Sequence, residues 1–96
     1  MKKSSLVFLV LFIGSVFVPA FSQEQTASGL FDRGLSAESA EKWYEASQFY
    51  MEAIQKNPVY SDAWYHLAMC SYQLGEFDLV LTQLDEAEKY SQRLLL

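Results

Sequence analysis

The apolar side chains Trp43, Ala46, Tyr50, Ala53 and Ile54 fall three, four, three and one positions apart, and Phe77, Val80, Leu81, Leu84 and Ala87 follow a similar rhythm. Such spacing puts each set on one stripe of a helix with about 3.6 residues per turn, leaving the other faces polar. A third stripe, Trp64, Leu67, Ala68 and Ser71, has small members that let a neighbouring helix come close. After residue 26 no stretch alternates apolar and polar residues for long enough to read as a strand. The breaks fall where hairpins need them. Pro58 disfavours the helical conformation at Asn57, and Gly75 can adopt the left-handed conformation that ends helices. The pattern therefore predicts helices at about 28 to 40, 43 to 56, 60 to 73 and 77 to 90.

Residues 27 to 96 also match themselves at an offset of 34. Leu30 falls over Trp64, Gly34 over Ala68, Ala40 over Leu74, Trp43 over Phe77, Ala46 over Val80, Tyr50 over Leu84 and Ala53 over Ala87. Large faces large and small faces small, and a period of this length is two helices long. The predicted core follows from the stripes: Trp43, Ala46, Tyr50, Ala53, Trp64, Leu67, Ala68, Phe77, Val80, Leu84 and Ala87 pack as antiparallel hairpins set side by side.

The second copy reads Trp64-x-x-Leu67-Ala68, then Gly75-Glu76-Phe77, Val80, Leu84 and Ala87, and Pro58 closes the copy before it. This resembles the tetratricopeptide repeat, a helix-turn-helix unit of 34 residues. Copy one keeps Gly34, Trp43, Ala46, Tyr50, Ala53 and Pro58 but carries Arg33 where the family has Leu and Glu41 where it has the turn Gly. Copy two has Ala68 for Gly, Ser71 for Tyr, Val80 for Ala, Leu84 for the aromatic and Gln92 for Pro. The resemblance implies an all-α fold, two repeats at 27 to 60 and 61 to 94 stacked as an antiparallel α-solenoid segment, with 95 to 96 opening a further unit.

The resemblance also implies a working surface. In the family the first helix of each repeat lines a concave side, and the second, fifth, sixth, ninth, twelfth and thirteenth positions face the partner. Carried onto copy two these are Asp62, Tyr65, His66, Met69, Tyr72 and Gln73, and onto copy one Ser28, Phe31, Asp32, Leu35, Glu38 and Ser39. Exposed aromatics and Met suit a protein or extended peptide. Two readings of Tyr65, Met69 and Tyr72 stay open at this point, a partner surface or packing against a neighbouring repeat. The Lys and Asn residues with which chaperone-binding members hold a terminal carboxylate are absent, so that specificity does not carry over.

The first 22 residues pose a different problem. Lys2 and Lys3 precede an apolar run from Leu6 to Val18, and Ala20-Phe21-Ser22 offers small residues at the two positions a signal peptidase inspects. The run is 13 residues long and meets Pro19, whereas a membrane span needs about 20. The pattern predicts a secretory signal at 1 to 22, cut after Ser22 or alternatively after Ala20, and a short linker at 23 to 26. An uncleaved anchor is the competing reading. No Cys lies near the junction for lipid attachment.

Removing the signal leaves 96 − 22 = 74 residues and a charge of 5 − 12 = −7, since Lys2 and Lys3 leave with it. So acidic a chain has no electrostatic case for nucleic acid or anionic lipid. The acidic residues are scattered over helix surfaces and keep an exported protein soluble. A chain of this size buries little apolar area, and repeat stacks usually need three or more units. The end, Arg93-Leu94-Leu95-Leu96, is apolar and uncapped. The expectation is that the chain continues as a longer repeat protein, or that this end is covered by a partner subunit or by self-association.

Little chemistry is encoded. His66 is the single histidine and Cys70 the single cysteine, so neither a His pair nor an internal disulfide exists. Asp62 and His66 are four apart and share a helix face as a surface polar pair, with no nucleophile motif beside them. Cys70, flanked by Ala63 and Leu74 on the same helix side, is expected to be buried. Gly29 and Gly34 are too sparse for a phosphate loop. The chain therefore reads as a non-enzymatic, cofactor-free and metal-free interaction or scaffold module, periplasmic or secreted. The alternatives are the N-terminal scaffold of a larger envelope enzyme and a module held at the membrane by its signal anchor.

Overall fold

A computed structural model of the chain describes residues 25 to 95. The expected signal segment at 1 to 22 and the side chains of the apolar stretch 93 to 96 lie outside the described residues. The described chain is four helices: α1, Ala27–Ser39; α2, Trp43–Lys56; α3, Ser61–Gln73; and α4, Phe77–Leu95. Successive helices pack in adjacent pairs, α1 with α2, α2 with α3 and α3 with α4, and no strand occurs among the described residues. No helix among them is long and apolar enough to cross a membrane.

The internal period is visible in the backbone. Both α1 and α3 are 13 residues long, and their starts, like those of α2 and α4, lie 34 positions apart. The turns repeat too. Glu41 and Gly75 both have positive φ, 58° and 81°. Behind them the Lys42 amide donates to the Ala37 carbonyl and the Glu76 amide to the Ser71 carbonyl, both at 2.9 Å. These are the closing bonds of a left-handed helix cap, which satisfy carbonyls that a helix end leaves open. At the other end of α1, the Thr26 hydroxyl accepts from the Gly29 amide at 3.0 Å and caps the helix.

The break between α2 and α3 is built around Pro58. The Asn57 side chain accepts from the Val59 amide at 3.3 Å, and the Trp64 indole donates to the Pro58 carbonyl at 2.9 Å. Gln92 occupies the equivalent place in α4 and keeps its amide, so the helix runs on to Leu95 rather than stopping near 90.

Two buried clusters hold the hairpins together. Ala46, Tyr50, Leu67 and Cys70 form the larger, flanked by Phe31, Leu35, Trp43 and Trp64. Leu30, Ala53 and Ala63 form the smaller, under Phe31, Phe49 and Tyr60. Ala68 and Ala87 are buried as well, Val80 and Leu84 only half-buried. The Ser61 hydroxyl donates to the Ala87 carbonyl at 2.7 Å and ties α3 to α4. The expectation of a core Phe77 is corrected: it is 62% exposed, at the first position of α4, with its ring edge-on to that of Tyr72. Leu81, one turn on, is 73% exposed. Periodicity places both on the apolar side of α4, but α3 alone covers that helix, and only part of its stripe is reached.

Candidate interaction surface

The helices α1 and α3 share one side of the molecule, and there α3 sits against α1 through polar and aromatic contacts. The Glu38 carboxylate on α1 accepts two bonds at one oxygen, from the Tyr50 hydroxyl of α2 at 2.6 Å and from His66 Nδ1 of α3 at 3.0 Å. Phe31 stands beside them, with ring centroids 5.6 Å from Tyr50, 5.2 Å from Tyr60 and 5.4 Å from His66 in an edge-on arrangement. Rings at such separations add attraction beyond their burial. The group therefore joins three helices at one point.

Burial sets the protonation of Tyr50 and of the neighbouring Cys70. Tyr50 is fully buried, and its hydroxyl is held well above the ordinary phenol range, first by burial and then by the bond to Glu38. Cys70 lies close by, and its thiol is pushed up to about 12 by burial and by the charge of Glu38. A thiol so held stays protonated and is a poor nucleophile. His66 is oriented by a carboxylate, as a catalytic base would be, but the Tyr50 hydroxyl spends its proton on that same carboxylate. No group of three metal-ligating side chains occurs among the described residues.

The positions carried from the family separate into two kinds. In copy one, Phe31 and Glu38 are half-buried against α3 and Leu35 against the larger core cluster, whereas Ser28, Asp32 and Ser39 are exposed. In copy two, the equivalent Tyr65, Met69 and Tyr72 are 48%, 38% and 56% exposed. Asp62 and Gln73 are exposed beside them, and His66 is half-buried. Tyr65 stacks edge-on against His66 at 5.5 Å, so the open row begins where the buried polar group ends. Tyr72 turns toward Phe77, at 5.4 Å, and extends the row across the turn into α4. The repeat register puts Glu38 and His66 on one face, but does not by itself pair them. The signal available was Tyr50, a buried phenol whose hydroxyl needs an acceptor.

Compared with family models, with curated proteins and with solved structures, the chain finds no match in any of the three.

Proposed function

We propose that the chain is a tetratricopeptide-type interaction module, exported to the periplasm or beyond the cell, that binds a protein or an extended peptide along the α1 and α3 side of a short α-solenoid. The reading rests on one observation above all. The row Tyr65, Met69 and Tyr72 is open, while its counterparts Phe31, Leu35 and Glu38, a period of 34 earlier, are half-buried. Three adjacent apolar or amphipathic side chains on a rigid helix, with Asp62 and Gln73 at the rim, form a surface of the kind that anchors a partner. Tyr65 and Tyr72 supply rigid aromatic area, and Met69 adapts to the shape opposite.

Selection of extended peptides from a display library against the folded chain tests this. Selected peptides should lose affinity about thirtyfold when either tyrosine is truncated to Ala, since an interface anchor contributes about 2 kcal/mol. Helicity and melting should not change. Peptides that bind equally well to Tyr65→Ala with Tyr72→Ala would place the surface elsewhere, and a double variant that unfolds would make the tyrosines structural.

A further inference from the structure

The two ends of the hairpin pair differ in charge, one bearing an acid-rimmed groove and the other an exposed arginine. Between α3 and α4 lies an open groove of about 550 Å³ bordered by Tyr65, Leu81 and Leu84 and by Asp62, Asp85 and Glu88, with no basic residue among those that line it. Shifted back by 34, Tyr65, Leu84 and Ala87 become Phe31, Tyr50 and Ala53. Those are the residues on which α3 is seated in the first hairpin, against Ala63, Leu67 and Cys70. The groove is thus the second copy of a seat that is already filled once within the chain.

The helix equivalent to α3 is α1, and the residues equivalent to Ala63, Leu67 and Cys70 are Gly29, Arg33 and Ser36. They fall at i, i+4 and i+7, on one side of α1. Arg33 is therefore the one long side chain on that stripe. It is exposed, it extends over the Phe49 ring at 5.1 Å, and it borders both open grooves at this end, together with Lys56 in one and Lys42 in the other. Glu52 and Glu45 also border them, one in each. An apolar seat rimmed by three carboxylates faces outward at one end, and a helix carrying a guanidinium where the seat holds Leu67 faces outward at the other.

We propose that a second copy of this chain docks head to tail, with its α1 in the α3/α4 groove and its Arg33 directed to Asp62, Asp85 and Glu88. The contact is heterologous, so it leaves one seat and one α1 free and allows open-ended assembly. It uses a different side of the molecule from most of the peptide row and does not depend on that reading, meeting it only at Asp62 and Tyr65.

Sedimentation velocity on residues 23 to 96, the chain without its expected signal segment, tests the proposal over a range of concentration and salt. Association should grow with concentration and weaken as salt rises, because exposed charge pairs are screened. Arg33→Glu, and separately Asp85→Lys with Glu88→Lys, should each weaken it about tenfold or more. All three positions are exposed, so the helical circular dichroism should be retained; Glu88→Lys alone is the milder substitute if the pair perturbs folding. Mixed together, the two weakened variants should associate again, because the unaltered groove of one meets the unaltered Arg33 of the other. Peptide binding by Tyr72→Ala, a position outside the groove, reports separately on the other surface. A wild-type chain that stays monomeric into the millimolar range, charge reversals without effect, or variants that fail to complement each other would overturn the proposal.

Discussion

Gly34 lies so close under the ring of Tyr50 that a β-carbon built on it would stand 2.7 Å from Cδ1 and 2.9 Å from Cζ, well inside van der Waals contact. The equivalent positions in the second hairpin hold Ala68 and Leu84, a larger residue where Gly34 stands and a smaller one where Tyr50 stands. Gly34→Ala should destabilise the fold by about 1 to 3 kcal/mol, since an overpacked core must shift a fully buried ring. Denaturant melts of Gly34→Ala, Tyr50→Leu and the double variant would measure this. The double variant should be more stable than the sum of the single effects, because Leu removes the clash. Strict additivity would mean that the two residues do not touch.

The left-handed turn at Glu41 is strained where that at Gly75 is not. A residue with a β-carbon pays roughly 1 kcal/mol in that conformation. Glu41→Gly should therefore raise stability by about 0.5 to 1 kcal/mol, read as an increase in melting temperature, even though Gly loosens the unfolded chain. A lower melting temperature would show that the Glu41 side chain contributes more than its backbone costs.

Trp64 and Phe77 should respond differently to truncation. Trp64 packs against the larger core cluster and donates its indole proton to the Pro58 carbonyl, so Trp64→Ala should cost about 2 to 4 kcal/mol, enough to unfold a domain this small. Phe77→Ala should cost less than about 1 kcal/mol. Circular dichroism on both variants compares them directly; equal losses would place Phe77 in the core after all.

These contrasts mark how far the sequence was legible. Helix positions followed from Pro58, Gly75 and the stripes because punctuation and period act locally. The end of α4 was missed because Gln92, unlike Pro58, stops nothing. The stripe cannot show that Phe77 is exposed, because it records which side of a helix is apolar, not whether a neighbour reaches it. The bond between Glu38 and His66 spans 28 residues, and it depends on how α3 settles across α1. Repeat register brought both residues to one face, but only the packing of Phe31 and Tyr50 brings their side chains within hydrogen-bonding distance.

Alkaline pH should destabilise the fold through Cys70 and Tyr50. The folded chain holds both protons more tightly than the unfolded chain, with Cys70 pushed from the ordinary thiol value of 9.0 up to about 12 and Tyr50 raised as well. Their contribution is full below about pH 9 and is lost as the pH rises toward 12. Stability measured across this range should fall, and should fall less steeply in Cys70→Ala. The native thiol should also react with aromatic disulfides only as fast as the chain opens. A pH-independent stability, or rapid modification of the folded chain, would contradict the burial of Cys70.

The central feature of the fold is α3 resting against α1 and α2 while the equivalent seat between α3 and α4 stays open. Nuclear Overhauser spectroscopy tests this most directly. Cross-peaks are expected from the Phe31 ring to those of His66 and Tyr60, whose centroids lie 5.4 Å and 5.2 Å away, whereas the Tyr65 ring should show His66 of its own helix, at 5.5 Å, as its ring neighbour. Absence of the Phe31 to His66 contact, or strong contacts from Phe31 to α4 instead, would contradict the arrangement of the helices.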